Sequence, residues 1–448
     1  MFRILLGWRY AEETMAQIPR VVIVGGGFGG LSAARALGGA PVEVTLVDRR
    51  NHHVFQPLLY QVATALLSPG DIAAPIRWIL RGYANVRVLM ADVVRVDTAA
   101  RQLVLADGGT LPYDYAIVAP GASHAYFGHD DWAAVAPGLK SLDDALDIRR
   151  RMLTAFEKAE GEADHDARDR LLTCVIVGGG PTGVELAGTL AEMARRTIRE
   201  EFRNIVTSRT RIVLVDAGPT ILPSFPEPLR KVARESLLRL GVEVVEGTSV
   251  SAIDPNGVQI GGQYLAAGTI VWAAGVAASP LAATLGVPLD RAGRAIVEPD
   301  LSLPGHPEVF VVGDAASFQQ GGTALPGVAQ VAMQGAAHAA TMIRRRIAGQ
   351  PTTTFRYRNY GSMAIVGRGS AIADFGWLRL TGFVAWLGWL FLHIAQLIGF
   401  RNRASVFLQW AGAYVTRQRS VRLITGRPRD IPAGSAQGGA DAREEGAR

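Results

Sequence analysis

Two glycine-rich segments have the residue types and spacing that bind dinucleotides. The first carries Gly25, Gly27 and Gly30 in a G-x-G-x-x-G frame, and the second carries Gly178, Gly180 and Gly183 in the same frame. In such a frame the first glycine permits a tight turn, the second lets the backbone approach a pyrophosphate, and the third lets a helix pack closely on a strand. The amides and positive dipole of the following helix bind the phosphates. The sequence therefore predicts two dinucleotide sites.

An acidic residue closes the apolar run that follows each glycine frame. Asp48 ends the first such run, and Asp216 ends the second. A carboxylate at this place accepts hydrogen bonds from ribose hydroxyls. Asp216 is followed by alanine and glycine and not by arginine. A 2′-phosphate would therefore meet only a carboxylate, and we expect the second site to take NADH in preference to NADPH.

Two parallel sheets with flanking helices must position these residues. Each glycine frame lies between an aliphatic run and a helix-forming stretch, which is the order of a Rossmann-like fold. Two such folds in one chain indicate a bound flavin, FAD, and a diffusing nicotinamide nucleotide. The expected class is α/β, with two Rossmann-like dinucleotide-binding domains, the NADH domain inserted in the FAD domain, and C-terminal membrane-associating helices. The expected regions are an N-terminal extension (1–18), the first segment of the FAD-binding domain (19–135), the NADH-binding domain (136–290), the second segment of the FAD-binding domain (291–375), a membrane-anchoring region (376–429) and a disordered tail (430–448).

Composition excludes several kinds of chemistry. The single cysteine, Cys174, lies in an apolar run, which excludes a disulfide framework and redox chemistry that needs a cysteine pair. His52 and His53 are adjacent and therefore poor joint ligands, and no EF-hand pattern is present, so we expect no metal. The apolar run near the N-terminus is too short for a signal peptide. We therefore expect cytoplasmic synthesis, starting at Met1 or Met15.

The net charge of +6 is concentrated near the C-terminus. Residues 375–429 carry eight arginines, four of the eight tryptophans and no acidic residue. The charge-free stretch 381–400 would be about 30 Å long as a helix, which is enough to cross a hydrocarbon core. A crossing would place the arginines of 401–429 on the outer side, against the positive-inside tendency. We therefore expect this stretch to lie in or dip into the cytoplasmic leaflet, with the arginines on anionic lipid.

The segment that follows has the spacing of an interfacial amphipathic helix. Val406, Phe407, Trp410 and Tyr414 occur at i, i+1, i+4 and i+8. A helix buried in a dimer interface is the alternative. Nucleic acid is not an expected partner, because the arginines flank an apolar block and do not form a polar basic stripe.

Several further segments resemble the type II NADH dehydrogenases, which are single-subunit NADH:quinone oxidoreductases that pump no protons. The segments similar to this family are residues 51–64, 121–128, 325–334, 399–403 and 418–426. Residues 113–122, 269–276 and 308–316 resemble elements shared by flavoproteins with two dinucleotide-binding domains. The resemblance implies hydride transfer from NADH to FAD, then delivery of two electrons to a membrane quinone, either ubiquinone or menaquinone. We also expect a homodimer. The charge pattern indicates peripheral attachment to the cytoplasmic face of the membrane, and the Arg- and Ala-rich, Lys-poor composition indicates a bacterial inner membrane.

The resemblance also implies the site residues. For FAD they are Gly25, Gly27, Phe28, Gly29, Gly30, Asp48, Val93, Gly121, Gly313, Asp314, Ala329 and Gln330. For NADH they are Gly178, Gly180, Pro181, Thr182, Gly183, Glu185, Asp216, Ala274 and Gly275. For quinone they are Gln330, Gln334, Tyr360 and Met363, and the catalytic residues are Glu185, Gln330 and Gln334.

Other interpretations of these residues and of the whole chain stay open. Thr182 and Glu185 also have the spacing of a helix capping box, and Gln330 and Gln334 also suit a polar helix face. Tyr360 stands where the family often has a basic residue, and it either donates a hydrogen bond to the quinone or forms an aromatic wall. The competing functions are an NADH-dependent reductase of a soluble carrier of the ferredoxin or rubredoxin type, and a nucleotide-sensing membrane protein without turnover.

Overall fold

The computed structural model describes residues 18–416 and 421–425. The predictions for the rest of the N-terminal extension, for the arginines at 417, 419, 427 and 429, and for the tail 430–448 lie outside the described residues.

The chain forms eleven α-helices and twenty-seven short strands within the described residues, besides a few single 3-10 and π turns. The helices are α1 (Phe28–Leu37), α2 (Leu59–Ala63), α3 (Pro69–Ile72), α4 (Ile76–Leu80), α5 (Leu142–Gly161), α6 (His165–Leu171), α7 (Pro181–Glu192), α8 (Glu227–Arg239), α9 (Ala329–Ile347), α10 (Gly382–Gln396) and α11 (Phe400–Thr416). The strands are β1 (Arg20–Val24), β2 (Glu43–Asp48), β3 (His52–Val54), β4 (Ala73–Pro75), β5 (Val86–Met90), β6 (Val93–Asp97), β7 (Gln102–Leu105), β8 (Thr110–Pro112), β9 (Tyr115–Val118), β10 (Ala122–His124), β11 (Thr173–Val177), β12 (Arg211–Val215), β13 (Val242–Val245), β14 (Val250–Asp254), β15 (Gly257–Ile260), β16 (Gln263–Ala266), β17 (Thr269–Trp272), β18 (Val276–Ala278), β19 (Ala295–Ile296), β20 (Ser302–Leu303), β21 (His306–Val311), β22 (Ala316–Ser317), β23 (Gln319–Gln320), β24 (Thr323–Ala324), β25 (Ser362–Gly367), β26 (Ser370–Asp374) and β27 (Arg379–Thr381).

The chain divides into two compact units. Within the described residues, unit 1 contains 18–51, Ile76–Gly121 and Ala278–Tyr357, and unit 2 contains His52–Pro75, Ala122–Ala277, 358–416 and 421–425. The sequence boundaries were expected at 135/136, 290/291 and 375/376. The observed exchanges fall at 121/122, 277/278 and 357/358, and the segment 52–75 belongs to unit 2.

Unit 1 is built on a six-stranded sheet in the order β20-β21-β9-β1-β2-β5. All neighbours run parallel except β20, which is antiparallel to β21. The central strand β1 is an aliphatic run with buried side chains on both faces, as a helix-covered parallel strand requires. Helices α1 and α9 pack against each other, and β6, β7 and β8 form a small antiparallel sheet. The expected Rossmann-like architecture of this unit is confirmed.

Unit 2 contains a four-stranded parallel sheet in the order β13-β12-β11-β17. Its central strand β11 is entirely buried. An antiparallel sheet, β14 to β16, is inserted between β13 and β17, and a second one, β25 to β27, packs against α7 and α10. The second Rossmann-like fold is therefore also confirmed. The sequence pattern did not predict the two antiparallel sheets that accompany it.

The C-terminal apolar stretch 381–400 does not form one continuous helix. Helix α10 ends at Gln396, and Gly399 adopts a φ of +89° before α11 begins. Glycine accommodates this left-handed conformation without the steric penalty of a Cβ. Of the helices in residues 18–416, none has both the length and the apolar character needed to span a membrane.

Candidate active site

The first glycine frame turns sharply at the end of β1. Gly25 has a φ of +97°, and a Cβ there would collide with the carbonyl of Ala119 at the end of the neighbouring strand. A Cβ at Gly30 would collide with the carbonyl of Gly25, so only glycine allows α1 to begin this close to β1. A Cβ at Gly27 would meet nothing within 4 Å. The turn therefore leaves open space over its second glycine, where a pyrophosphate would fit.

Asp48 holds this loop in place. Its Oδ2 accepts a hydrogen bond from the amide of Gly26 (2.6 Å), and its Oδ1 accepts one from the amide of Arg50 (2.7 Å). Each carboxylate oxygen has two lone pairs. Asp48 can therefore fix the glycine turn and still accept hydrogen bonds from a ribose.

The other residues expected to bind FAD are mostly at the carboxyl edge of the same sheet. Because β1, β9 and β21 are parallel neighbours, Gly121 and Gly313 follow strands that end beside the glycine loop. Both adopt positive φ, +73° and +71°. The carboxylate of Asp314 lies beside Gly327, two residues before α9, where a Cβ would be 3.1 Å from Oδ1. Unit 1 thus brings together the first loop, the Gly-Asp element and the start of α9.

Three further expected residues have their own places in unit 1. Phe28 is the first residue of α1, and Gly29 packs so closely that a Cβ would lie 3.3 Å from Ala119 and 3.4 Å from Val312. Val93 begins β6, and its side chain packs against the core of the unit.

The second glycine frame repeats this geometry in unit 2. Gly178 has a φ of +116°, and a Cβ there would collide with the backbone of Ala273 and Ala274. A Cβ at Gly183 would collide with the carbonyl of Gly178, whereas a Cβ at Gly180 would meet nothing within 4 Å. The segment carrying Ala274 and Gly275 therefore passes directly beside the turn, and the space over the second glycine is again open.

Asp216 matches Asp48 in its contacts. Its Oδ2 accepts a hydrogen bond from the amide of Gly179, and its Oδ1 accepts one from the amide of Gly218 (2.6 Å). Helix α7 begins at Pro181 with Gly180 as its N-cap, so no side chain caps its first turn. The amides of a helix's first turn have no partner within the helix, which makes them available to an anion. Both loops fit a dinucleotide by these observations.

Glu185 lies in the second turn of α7, and the capping-box interpretation is wrong. The N-cap is Gly180, so Thr182 and Glu185 are both inside the helix. Oε1 of Glu185 accepts a hydrogen bond from the amide of Ile365 (3.4 Å), in strand β25. Burial raises the pKa of Glu185 to about 8, and the amide of Ile365 partly opposes this rise. The carboxyl group therefore carries a proton at neutral pH.

Strand β25 crosses α7 at direct backbone contact, a feature that the sequence reasoning missed. A Cβ at Gly188 would lie 1.6 Å from the carbonyl oxygen of Val366. One turn further along, Oε1 of Glu192 accepts a hydrogen bond from the amide of Arg368 (2.5 Å). The helix thus holds the strand with two glutamates that flank a glycine. The signal in the sequence was a glycine in a helix interior, where it is unfavourable unless something packs on it.

The residues expected to bind quinone are divided between the units. In unit 1, Gln330 and Gln334 are partly buried on the first turns of α9, and the hydroxyl of Tyr357 donates to Oε1 of Gln330 (3.4 Å). In unit 2, the Tyr360 ring is 56% exposed. The guanidinium of Arg358 lies over that ring, 5.3 Å from its centroid. Tyr357 is a contact of Gln330 that the sequence pattern did not single out.

Met363 connects β25 to the C-terminal helices. A Cβ at Gly388 of α10 would be 3.7 Å from the terminal methyl group of Met363, an ordinary van der Waals contact. The sulfur side chain therefore lies against a small residue in the apolar helix, within unit 2.

Helix α10 is apolar on two faces. Ala385 and Trp389 are buried, while the opposite side is exposed to solvent. Trp389 stacks on His393 at 3.9 Å, and burial lowers the pKa of His393 to about 4. The exposed polar residue Gln396 ends this helix. Five of its large hydrophobic side chains are exposed: Phe383, Val384, Leu387, Phe391 and Leu392.

The expectation for the next helix, α11, was partly wrong. Val406 and Trp410 are buried within the protein, whereas Phe407 and its neighbour Leu408 are exposed. The side chain of Tyr414 lies outside the described residues. The pattern was amphipathic, but the face that it assigned to lipid is partly the face that packs inward.

A polar cluster fastens α11 to the segment 59–75. The buried carboxylate of Asp71 accepts hydrogen bonds from the hydroxyl of Ser405 (2.8 Å) and from Nε2 of Gln409 (2.9 Å). The indole N–H of Trp410 donates to Oε1 of Gln61 (2.7 Å). Charge-assisted hydrogen bonds inside a protein are among the stronger ones. The helix is therefore a docked part of unit 2.

No metal site and no cysteine redox site occur in the portion of the chain that the structure describes. Residues 18–416 and 421–425 contain no group of three or more His, Cys, Asp or Glu that could hold a metal ion. Cys174 is buried in β11, and burial raises the pKa of its thiol to about 12. A thiol with that pKa has almost no thiolate at neutral pH.

Comparisons with known proteins agree with this geometry. Residues 19–336 match the family of pyridine nucleotide-disulphide oxidoreductases. The chain is 48% identical over 423 residues to Type II NADH:quinone oxidoreductase NdhA of Mycobacterium tuberculosis, and the match covers 91% of this chain and 89% of that protein. It is 45% identical over 432 residues to Type II NADH:quinone oxidoreductase Ndh of the same organism, with 92% of each chain covered.

Among solved structures, NDH2 from Plasmodium falciparum in complex with NADH has the same fold. The TM-score is 0.82 at 20% identity, and 90% of this chain and 99% of that chain are covered. With two glycine loops of matching geometry and relatives at this identity, the chain belongs to the type II NADH:quinone oxidoreductases.

Proposed function

We propose that this chain oxidises NADH bound at the second glycine loop and reduces a membrane quinone, with FAD held at the first loop. The observation that carries the proposal is the repeated loop geometry. Each loop has a first glycine at positive φ, open space over its second glycine, and an aspartate that accepts hydrogen bonds from the amides of the turn. When bound, FAD supplies the redox chemistry that side chains lack, because it accepts a hydride and passes electrons on.

In the NADH half-site, each residue has a role that follows from its position. Asp216 ends the strand next to the loop, so we assign it the adenosine ribose. Pro181 and Thr182 are exposed at the start of α7, where they flank the pyrophosphate. Ala274 and Gly275 follow the strand on the other side of the loop, so they line the nicotinamide half.

We assign proton handling to Glu185. Its carboxyl group is protonated at neutral pH, since its pKa is about 8. A group with a pKa near the working pH both takes up and releases a proton readily. Quinone reduction consumes protons. Glu185 accepts its hydrogen bond from Ile365 of β25, and Ile365 is two residues from Met363 in that strand.

On the quinone side, we assign hydrogen bonding to the glutamines and shape to the other two residues. The amides of Gln330 and Gln334 are suited to donate to quinone carbonyl oxygens. Met363 forms an adaptable apolar wall. Tyr360, whose ring is exposed, stands where the family often has a basic residue, and we assign it the role of an aromatic wall.

Type II NADH dehydrogenases are membrane-associated. The exposed apolar face of α10, together with Phe407 and Leu408, is the surface that we assign to lipid. Arginines near anionic lipid each contribute about 1 kcal/mol, and salt weakens this attraction. We therefore propose peripheral attachment to the cytoplasmic face of a bacterial inner membrane, by an enzyme that acts as a homodimer.

Stopped-flow spectroscopy of the purified flavoprotein tests the proposed activity. NADH should bleach the flavin absorbance, and a soluble quinone analogue should restore it. Failure of NADH to reduce the flavin would refute the proposal. Reduction without reoxidation by quinone would favour the alternative, a reductase of a soluble carrier, and addition of a ferredoxin or rubredoxin would then test that directly. Inverted vesicles and analytical ultracentrifugation test the membrane face and the dimer.

A further inference from the structure

Phe127 occupies a turn position that does not suit its side chain. Phe127 and Gly128 have φ values of +53° and +92°, and the turn is closed by a hydrogen bond from the amide of His129 to the carbonyl of Tyr126 (3.1 Å). Asparagine, aspartate and glycine are the usual residues at the first of two such positions. A phenylalanine there is strained, and strain of this kind clusters at ligand sites.

The ring of Phe127 is 71% exposed, and its remaining surface contacts two residues at the end of β17. It lies edge-to-face against Trp272, with 6.3 Å between the ring centroids. It also covers Gly275, where a Cβ would be 2.6 Å from Cζ of the ring. The adjacent backbone is tied to the same strand end, because the carbonyl of Ala125 accepts from the indole N–H of Trp272 (2.9 Å).

This ring stands at the edge of the sheet that carries the second glycine loop. In the parallel register Val177 pairs with Trp272, so β11 and β17 end together. Gly178 and the Ala273 backbone are in direct contact there. Phe127 therefore lies on the β17 side of the loop.

The side of the loop determines which half of the dinucleotide the ring would meet. Asp216 follows β12, on the opposite side of β11. A dinucleotide with its adenosine ribose at Asp216 and its pyrophosphate at the start of α7 extends its other half toward β17. That half is the nicotinamide riboside.

We propose that Phe127 binds the nicotinamide half of NADH, with its exposed ring packed against the apolar face of that group. This inference rests on the proposed function, because it takes NADH as the substrate of the second loop. It explains both why an aromatic residue occupies a strained turn and why Gly275 has no side chain. A Cβ at Gly275 would push the ring away from the edge.

Calorimetric titrations of the purified flavoprotein with NAD⁺ and with ADP-ribose test this proposal. ADP-ribose lacks the nicotinamide and keeps the rest of the ligand. In Phe127→Gly and Phe127→Ala, loss of aromatic packing should weaken NAD⁺ binding and raise the KM for NADH by about tenfold. ADP-ribose binding should be unchanged in both variants. Phe127→Tyr keeps the ring and should bind NAD⁺ like the wild type.

The glycine variant distinguishes the effect of losing the ring from the effect of a strained turn. Glycine adopts the positive φ without strain, so Phe127→Gly should melt higher than Phe127→Ala while showing the same NAD⁺ defect. Unchanged NAD⁺ affinity in a folded Phe127→Gly protein would overturn the proposal, as would an equal loss for both ligands. Failure of the proposed function is distinguishable, since wild-type flavin would then not be reduced by NADH at all.

Discussion

Replacing Gly188 with alanine should destabilise the protein, although the same change in an ordinary helix interior is stabilising. An added Cβ at Gly188 would lie 1.6 Å from the Val366 carbonyl oxygen, and real Cβ atoms keep at least 3.0 Å from such neighbours. Because interiors are close-packed, α7 and β25 must separate by about 1.4 Å. The 2.5 Å and 3.4 Å hydrogen bonds from Arg368 to Glu192 and from Ile365 to Glu185 would then break.

The size of the effect follows from three contributions. Overpacking costs about 1–3 kcal/mol, and each lost hydrogen bond costs about 1 kcal/mol net. Alanine regains about 1 kcal/mol through its helix propensity. We therefore expect Gly188→Ala to lower the free energy of unfolding by about 2–4 kcal/mol.

Thermal unfolding followed by circular dichroism measures this change. At about 2–4 °C per kcal/mol, the Tm should fall by at least about 4 °C. Gly412→Ala is the matched control, because Gly412 lies inside α11 and a Cβ there would meet nothing within 4 Å. That variant should be as stable as the wild type or slightly more so. If Gly188→Ala behaves like Gly412→Ala, the helix and the strand do not touch as described.

Three further changes have defined outcomes. Asp216→Ala removes the ribose acceptor and frees the Gly179 amide, so the KM for NADH should rise several-fold in steady-state assays; an unchanged KM means that the ribose contact is misassigned. Burial raises the Glu185 pKa from 4.5 to about 8, so the folded protein binds that proton more tightly than the unfolded chain does and loses stability as pH rises between these values. Glu185→Gln should flatten this slope in pH-dependent denaturation, and a parallel slope contradicts the assignment. Phe391, 77% exposed on α10, should bind lipid, so Phe391→Glu should reduce cosedimentation with anionic vesicles, while the exposed-loop control Val206→Glu should not.

The features that sequence predicts well are those determined by near neighbours in the chain. Gly25, Gly30 and Asp48 act within one strand-turn-helix unit, so spacing alone places them. The partner of Glu185, in contrast, is a backbone amide 180 residues away. No local sequence pattern predicts that Ile365 lies beside Glu185. The spacing between Thr182 and Glu185 therefore suggested a capping box that the structure does not have.

The same limit explains the error at α11 and the omission of Phe127. Periodicity identifies which side chains share a helix face, but which face turns inward depends on the partner. For Trp410 that partner is Gln61, 349 positions earlier in the chain. Phe127 does not have a turn-forming side chain, so its left-handed backbone has no signature in the sequence.

The docking of α11 determines the order in which parts of unit 2 fold during synthesis. The contacts of Ser405, Gln409 and Trp410 with Asp71 and Gln61 join residues 334 to 349 positions apart. Ribosomes deliver the chain from its N-terminus, so the early segment emerges long before the helix that covers it. Until then Asp71 and Gln61 have only water and local partners, the Ser68 amide for Asp71 and the Tyr60 hydroxyl for Gln61. Docking of α11 is therefore a late step in the folding of unit 2, which cannot be complete before residue 410 has left the ribosome.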